Sequence, residues 1–426
     1  MIKVALLLFV SLFFISCNLG EPTPVKANEK AFAGEDTYIL FALRAEQIKD
    51  HKSASELYAH LYEESGKNEY FYRSLENDLV QKKYDTVIKR VDAQQLEAPF
   101  DANLVRLKVV SLFELNRFDE AILLSVTLAA TTKEPRDYLL TSDIYIKRQE
   151  FDLAVRYLES AYAKEHNEKI LDKMSIVLYV NLGKKKEAIA HLETHSRMLG
   201  CSRVVCLRLA AFYSNDNNIE GLLSTYLRLY NVDKDPEIAK KIIQIYTYKR
   251  DSLNLMDFLE SSKSDDKVLL QLYSSSKNYE KAFPLADKLY EQTAEVEYLG
   301  QSAIFEYENA KDKNNKKLLN SVISKLERVI SQTSEPTYLN YLGYILIDHD
   351  VDVKRGMGYI DEVLLVQPDS AFYLDSKAWG YYRLGQCKKA NKIIKRVQKL
   401  EGGDDPEVVS HVKAIQKCLK KKKGKK

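Results

Sequence analysis

This 426-residue chain contains five cysteines and seven histidines, the residue types best suited to covalent or metal chemistry. His191 and His195 are spaced to lie on one face of a helix, where two imidazoles can bind a metal ion. The acid between them, Glu193, stands two residues after the first histidine, so the His-Glu-x-x-His order of zinc proteases is absent. We predict that His195 is a structural histidine turned toward a neighbouring helix, and we predict no metal site.

The sequence also lacks the patterns of common catalytic and cofactor sites. It contains no glycine-rich phosphate loop and no Gly-x-Ser-x-Gly elbow. Its acidic residues are interspersed with Lys and Arg, as on solvated helix faces. A net charge of +3 over 426 residues gives no electrostatic field strong enough to indicate nucleic-acid binding. We predict that the protein is not an enzyme, binds no cofactor and binds no nucleic acid.

The beginning of the chain has the composition of a targeting segment. Lys3 precedes residues 4–15, which are apolar apart from Ser11. A run of about twelve residues suits the hydrophobic region of a signal peptide and is too short to cross a bilayer as a helix. No other apolar run approaches the roughly 18 residues that a membrane-spanning helix needs, so we expect no transmembrane helix in the mature chain.

The motif Phe14-Ile15-Ser16-Cys17 resembles the lipobox of bacterial lipoproteins, although Phe14 replaces the usual leucine. In that family the cysteine is acylated on its thiol and becomes the new N-terminus. The resemblance implies a signal peptide over residues 1–16 and lipidation, such as palmitate, at Cys17. The other interpretation is an ordinary cleaved signal peptide followed by an incidental cysteine.

The segment after the motif indicates a tether and a location. Residues 17–34 contain prolines and glycines without periodicity, which is typical of a flexible linker. Asn18 is not the aspartate that favours inner-membrane retention in enteric-type lipoproteins. The resemblance therefore implies the outer membrane, with the protein facing the periplasm.

From about residue 35 onward, helical periodicity alternates with short polar breaks. A small or apolar residue, often preceded by an aromatic and an acid, recurs near the start of every second helix. The positions are Ala54, Val87, Ala121, Ala154, Ala188, Gly221, Leu255, Ala282, Val322, Gly356 and Ala390. The successive differences between these numbers are 33, 34, 33, 34, 33, 34, 27, 40, 34 and 34. This regularity predicts stacked helix pairs that bury their apolar faces against one another.

The period and the helix-turn-helix unit resemble the tetratricopeptide repeat (TPR). The residues that carry the likeness are 336–344 (PTYLNYLGY), 366–370 (VQPDS) and 374–385 (LDSKAWGYYRLG). The resemblance implies an all-α fold, a right-handed α-solenoid of about eleven TPR-like helix pairs over residues 35–404. The region from Leu255 to Val322 is the least regular, and we expect an altered helix pair there.

The C-terminal part of the chain differs from the repeats. Residues 405–420 have Pro406 near their start and a polar composition, which predicts a helix that caps the stack. Residues 421–426 form a basic tail, and eight lysines lie between residues 413 and 426. This tail is either a solvated terminus or a contact with an anionic surface such as phospholipid head groups or acidic glycan.

Four cysteines remain once Cys17 is set aside, and an oxidising periplasm would let them form disulfides. Cys387 lies at the start of the second helix of the last pair. Cys418 lies near the end of the cap helix, which is expected to run antiparallel to that second helix. We predict a Cys387–Cys418 disulfide on this geometry. A Cys201–Cys206 disulfide is a weaker prediction, because residues five apart on one helix diverge unless Cys201 lies outside it.

In TPR proteins the first helices line the partner-binding groove. Transferring that rule to the best-matching repeats gives the candidate partner-binding residues Asn340, Tyr344, Trp379, Tyr382 and Arg383. Aromatic and arginine side chains are typical of binding hot spots, although core packing is the competing interpretation.

The predicted function is a lipid-anchored periplasmic scaffold or adaptor. Its general plan resembles TPR lipoproteins that assist assembly of outer-membrane or envelope machines, which implies envelope proteins or peptide segments as partners. The alternative is a binder of peptidoglycan or exported polysaccharide, which the basic tail and aromatic residues would also suit.

Overall fold

The described part of the chain is built from helices alone. The computed structural model describes residues 30–95 and 100–423, and within them lie 23 α-helices and no strand. No helix in these ranges is both long enough and apolar enough to cross a membrane. The helices belong to two compact units that divide between Val232 and Asp233.

The first unit contains six helix pairs. They are α1 (Glu35–Gln47) with α2 (His51–Ser65), α3 (Asn68–Val80) with α4 (Tyr84–Gln95), α5 (Ala102–Glu114) with α6 (Phe118–Thr132), α7 (Pro135–Lys147) with α8 (Phe151–Glu165), α9 (Glu168–Ile176) with α10 (Lys185–Leu199), and α11 (Arg203–Asn215) with α12 (Ile219–Asp233). Helix α9 continues as a π-helical segment, Val177–Asn181.

The second unit contains five helix pairs and a final helix. They are α13 (Pro236–Lys249) with α14 (Ser252–Ser262), α15 (Asp266–Ser275) with α16 (Tyr279–Thr293), α17 (Val296–Asn309) with α18 (Lys316–Ile330), α19 (Pro336–Asp348) with α20 (Val353–Val366), α21 (Ala371–Arg383) with α22 (Cys387–Val397), and the unpaired α23 (Pro406–Lys423). The predicted all-α solenoid of eleven pairs plus a final helix is confirmed.

Successive pairs stack through their first helices. Helix α5 contacts both α3 and α7, and helix α21 contacts both α19 and α23. Each second helix also contacts the first helix of the next pair in many of the repeats, as α2 does with α3 and α18 with α19. Within each unit, helix pairs therefore cover the apolar faces of their neighbours, which is the packing expected of a repeat array.

The periodic small residue lies where a second helix crosses its partner. Ala54, Ala121 and Ala154 are each the fourth residue of their helix and are fully buried. Val322 is an exception, since it is the seventh residue of α18 and the fourth is Leu319. The period therefore located the helix but misplaced its start by one turn.

A tight turn joins the two helices of most pairs and fixes the repeat length. A residue just after the first helix has a left-handed backbone, as at Lys82 (φ 62°) and Gln149 (φ 63°). The following amide then donates to a carbonyl five residues back, as Lys83 does to Asp78, which is the Schellman pattern of helix C-termini. The α17–α18 connection instead spans residues 310–315, and α14 and α15 are only 11 and 10 residues long. These changes explain the two irregular spacings of the periodic residue.

The N-terminal helix is held by one buried carboxylate. Glu35, at the start of α1, is 3% exposed. It accepts hydrogen bonds from the Lys67 ammonium at 2.5 Å, the Tyr70 hydroxyl at 2.7 Å and the Ala31 amide at 2.7 Å. The bonds from Lys67 and Tyr70 lower the pKa of Glu35 to about 2.

This lowered pKa predicts an acid-sensitive N-terminal repeat. Because the folded pKa lies below the ordinary value of 4.5, the stabilisation by Glu35 is complete above pH 4.5 and is lost as pH falls toward 2. We expect urea unfolding midpoints to decline more steeply over that range in the natural protein than in a Glu35→Gln variant. Equal slopes in the two proteins would contradict this assignment.

Candidate partner-binding groove

A groove in the second unit runs across the first helices of three consecutive repeats. It has a volume of about 650 Å³, within the range of pockets that hold ligands. We call it the first-helix groove. Its lining residues are Ser274, Tyr279, Val296, Glu297, Gln301, Ile304, Phe305, Thr333, Glu335, Thr337, Tyr338 and Tyr341.

One glycine makes room for a groove tyrosine. The ring of Tyr338, on α19, lies against Gly300, on α17, so closely that a Cβ there would come within 2.4 Å of it. The Tyr338 hydroxyl donates to the backbone carbonyl of Glu297 at 3.2 Å. The absence of a side chain at residue 300 therefore lets α19 approach α17 and fixes one wall of the groove.

The remaining aromatic residues hold the neighbouring repeats in register. The rings of Tyr279 and Phe305 stack with centroids 5.8 Å apart. The Tyr341 hydroxyl donates to Glu308 at 3.1 Å, and burial raises the pKa of Tyr341 well above its ordinary value. Rigid aromatic surfaces of this kind provide contact area with little loss of conformational entropy on binding.

The polar lining of the groove is acidic. Glu297 and Glu335 are exposed, and none of the twelve lining residues is Lys or Arg. Gln301 donates to Glu297 at 3.2 Å, and Thr337 donates to Glu335 at 3.4 Å. Burial first, and then the charges of Glu297 and Glu335, raise the pKa of Tyr338 to about 12. The groove therefore combines apolar area with an uncompensated negative charge.

The predicted partner-binding residues lie on α19 and α21, beside this groove, and α23 contacts part of them. The Trp379 ring stacks on Tyr382 at 4.5 Å and on His411 of α23 at 3.9 Å. The Trp379 indole donates to Asp348 at 2.8 Å. The Tyr344 hydroxyl donates to Glu407 of α23. Helix α23 of the same chain therefore packs against Trp379 and Tyr344.

The other two predicted residues have different surroundings. The Arg383 guanidinium forms an ion pair with Asp350, with one nitrogen–oxygen distance of 3.0 Å. The buried Oδ1 of Asn340 has no hydrogen-bond partner among the described residues. Arg383 lies one helical turn after Trp379 on α21, and Asp350 pairs with its charge.

Sequence reasoning missed several residues at both places. At the cluster it missed His411 and Asp375, which form a buried hydrogen-bonded pair at 2.8 Å. At the groove it missed Glu297, Tyr338 and Tyr341. The first-helix rule would have found Glu297 had it been applied to α17, in the least regular region, and it would have found Tyr338 and Tyr341 had it been extended along α19 from Asn340 and Tyr344.

The structure brings together both predicted cysteine pairs. Cys387 and Cys418 form a disulfide with 5.9 Å between Cα atoms, and Cys201 and Cys206 form one with 5.4 Å. Cys201 precedes α11, as the second pair requires. Cys17, the predicted lipidation site, lies outside the described residues, as do most of the predicted signal peptide and tether.

The two spaced histidines have separate environments. His195 is 2% exposed and hydrogen-bonds through Nδ1 to the Tyr162 hydroxyl at 2.7 Å. His191 instead comes within 4.8 Å of Glu159 and Glu187, both of which are exposed. Exposed acidic groups at such distances are common without a bound ion, so this triplet does not by itself constitute a metal site.

Comparisons with known proteins give limited likenesses. No protein-family model matches the chain, and no relative is found among curated proteins. The similar solved structures include Naa15/Naa10 bound to HypK-THB, with 13% identity over 80% of this chain and a TM-score of 0.35. They also include the APC/C hetero-tetramer Cut9-Hcn1, with 10% identity over 91% of this chain and 97% of that chain, and a TM-score of 0.36.

A third such structure is the P58(IPK) TPR domain, with 11% identity over 92% of this chain and 99% of that chain, and a TM-score of 0.29. This chain spans 64% of the Naa15/Naa10 chain. Because all these TM-scores are below 0.5, the fold assignment rests on the repeat period and on the helix-pair packing described above.

Proposed function

We propose that this protein is a non-enzymatic scaffold that holds a segment of a partner protein in the first-helix groove. The observation that carries the proposal is the groove itself, about 650 Å³ in volume and lined by residues of consecutive repeats. Its aliphatic and aromatic floor suits apolar side chains, and its Ser, Thr, Gln and Glu groups suit peptide backbone and polar side chains.

A groove-filling substitution tests the proposal. Gln301 lies in the groove on α17, and we expect Gln301→Trp to occupy the space that a partner segment would fill. The matched control is Gln292→Trp, because Gln292 is exposed near the end of α16 and does not line the groove. Both proteins are used as bait in pulldowns from detergent-solubilised envelope.

The expected result is one stoichiometric protein that the natural chain and Gln292→Trp both recover, with at least a tenfold loss for Gln301→Trp. A tenfold loss corresponds to about 1.4 kcal/mol of binding free energy. Equal recovery by the two tryptophan variants would contradict the groove as the binding site. Recovery of glycan without a protein partner would contradict the scaffold function and favour the peptidoglycan or polysaccharide alternative.

We also propose that the scaffold is attached to the outer membrane through a lipid on Cys17 and faces the periplasm. The support is the apolar segment that ends in Ile15-Ser16-Cys17. Envelope proteins would then be the available partners.

The lipid anchor predicts the behaviour of a Cys17→Ser variant. Stable membrane attachment needs more than one acyl chain, and a bacterial lipoprotein carries these on the modified cysteine. We expect Cys17→Ser to appear in the soluble fraction or to remain as an uncleaved precursor. Cleaved Cys17→Ser protein that still fractionates with membranes would show that the anchor lies elsewhere.

A further inference from the structure

We infer that the partner segment held in the first-helix groove presents a lysine or arginine side chain to Glu297 and Glu335. The inference rests on the proposed function and adds the chemistry of the ligand. Nothing in the repeat pattern requires the groove to be acidic, so the preference comes from these particular side chains.

Both groove carboxylates lack a cation. Their acidic neighbours in the sequence are paired: Glu295 with Lys267 at 3.2 Å, and Glu308 with Lys313 at 2.8 Å. Neither Glu297 nor Glu335 has an ion-pair partner among the described residues. The two carboxylates that face the groove are thus available to a ligand, whereas Glu295 and Glu308 are already paired with lysines.

Aromatic side chains line the groove together with these acids. Elsewhere in the same unit the fold places cations over tyrosine rings, with Lys313 4.5 Å from the Tyr307 centroid and Lys267 5.5 Å from that of Tyr298. A guanidinium or ammonium group gains from such a ring face and from a nearby carboxylate at the same time. Tyr341 is half-buried and lines the groove, and its ring is the one that such a cation would meet.

The negative charges of these acids already act on neighbouring tyrosine side chains. After burial, Glu297 and Glu335 contribute to the raised pKa of Tyr338. Glu335 likewise adds to the raised pKa of Tyr373 on α21. An acidic segment would enter this negative potential without compensation, and a basic segment would relieve it.

Three sets of labelled nonapeptides test the inference by fluorescence anisotropy with the full chain. The sets carry Arg, Ala or Glu at the central position and the same mixtures elsewhere. The first variant is Glu297→Gln with Glu335→Gln, which keeps the side-chain shape and removes both charges. The control variant is Glu291→Gln, an exposed α16 residue outside the groove.

We expect the Arg set to bind at least tenfold more tightly than the Glu set at low salt, with the Ala set between them. The double variant should reduce this ratio below about threefold, while Glu291→Gln keeps it. If all three sets bind equally and Gln301→Trp abolishes this binding, the charge preference is wrong and the groove is still a binding site. An unchanged Arg-to-Glu ratio in the double variant would also overturn the preference. If no set binds and Gln301→Trp still recovers the partner, the proposed function fails as well.

Discussion

Replacing Cys387 with serine is expected to lower the free energy of unfolding of the C-terminal repeat by about 3.5 kcal/mol. The disulfide joins the start of α22 to the end of α23, and the two cysteines are 31 residues apart in sequence. Without it, the unfolded chain gains the conformational freedom that the closed loop removes. No later repeat follows α23 within the described residues, so the helix relies on this link and on its own apolar face.

The single tryptophan offers a direct measurement of this effect. Trp379 stacks on His411 of α23 at 3.9 Å, so detachment of α23 changes its fluorescence. Urea unfolding without reductant is followed by this signal in the natural protein and in the variant. The control is Cys201→Ser, because its closed loop of only five residues is worth about 2 kcal/mol and lies in the other unit. The bond does not form if Cys387→Ser leaves the Trp379 transition unchanged and if, in the natural protein, both Cys387 and Cys418 alkylate freely after denaturation without reductant.

Gly356→Ala and Gly358→Ala are expected to change stability in opposite directions. A Cβ at residue 356 would come within 2.6 Å of the Gly343 carbonyl oxygen, where α19 crosses α20. Backbone at that distance cannot rotate away, so we expect a loss of about 1–3 kcal/mol. A Cβ at residue 358 meets nothing within 4 Å, and alanine there should stabilise the helix by about 0.5–1 kcal/mol.

Thermal unfolding of these two variants compares positions on the same helix that differ only in their neighbours. A lower melting temperature for Gly356→Ala and a higher one for Gly358→Ala would support the close crossing of α19 and α20. If both substitutions raise the melting temperature, the helices are farther apart than the structure shows.

The repeat architecture was predictable because its signal is local and repeated. Ala121, Ala154 and Ala188 recur at a period of roughly 34 residues, and each is fully buried. The predicted position of the periodic residue is wrong at Val322, which lies one turn too late in α18. The cause is the longer α17–α18 connection, residues 310–315, which replaces the usual tight turn. A period averaged over the chain does not register a local change in helix length.

The candidate binding surface was less predictable, because it depends on packing between residues far apart in sequence. The first-helix rule indicated Trp379 and Tyr344, but it did not indicate that α23 would contact both side chains. It also did not indicate Tyr338, whose position depends on Gly300 in the first helix of the preceding pair. Periodicity shows which helix faces lie on one side of a stack, and only the packed structure shows which of them remain open.

The stack suits a scaffold because it holds groove residues from several helices on a rigid support. Tyr279 and Phe305 belong to neighbouring pairs and stack on each other, and Tyr338 is fixed by its bond to the Glu297 carbonyl. A preformed groove of this kind binds a flexible segment without the cost of ordering its own walls.

Photo-cross-linking from within the groove tests the central claim most directly. A photoreactive amino acid replaces Gln301 in the full chain, and a second version carries it at Gln292 as a control. After irradiation in intact cells, mass spectrometry identifies the linked peptides. We expect position 301 to link to one continuous segment of a single envelope protein, rich in Lys or Arg, and position 292 not to link to it. Links to that protein from Gln292 alone, or from neither position while the pulldown still recovers it, would contradict the account.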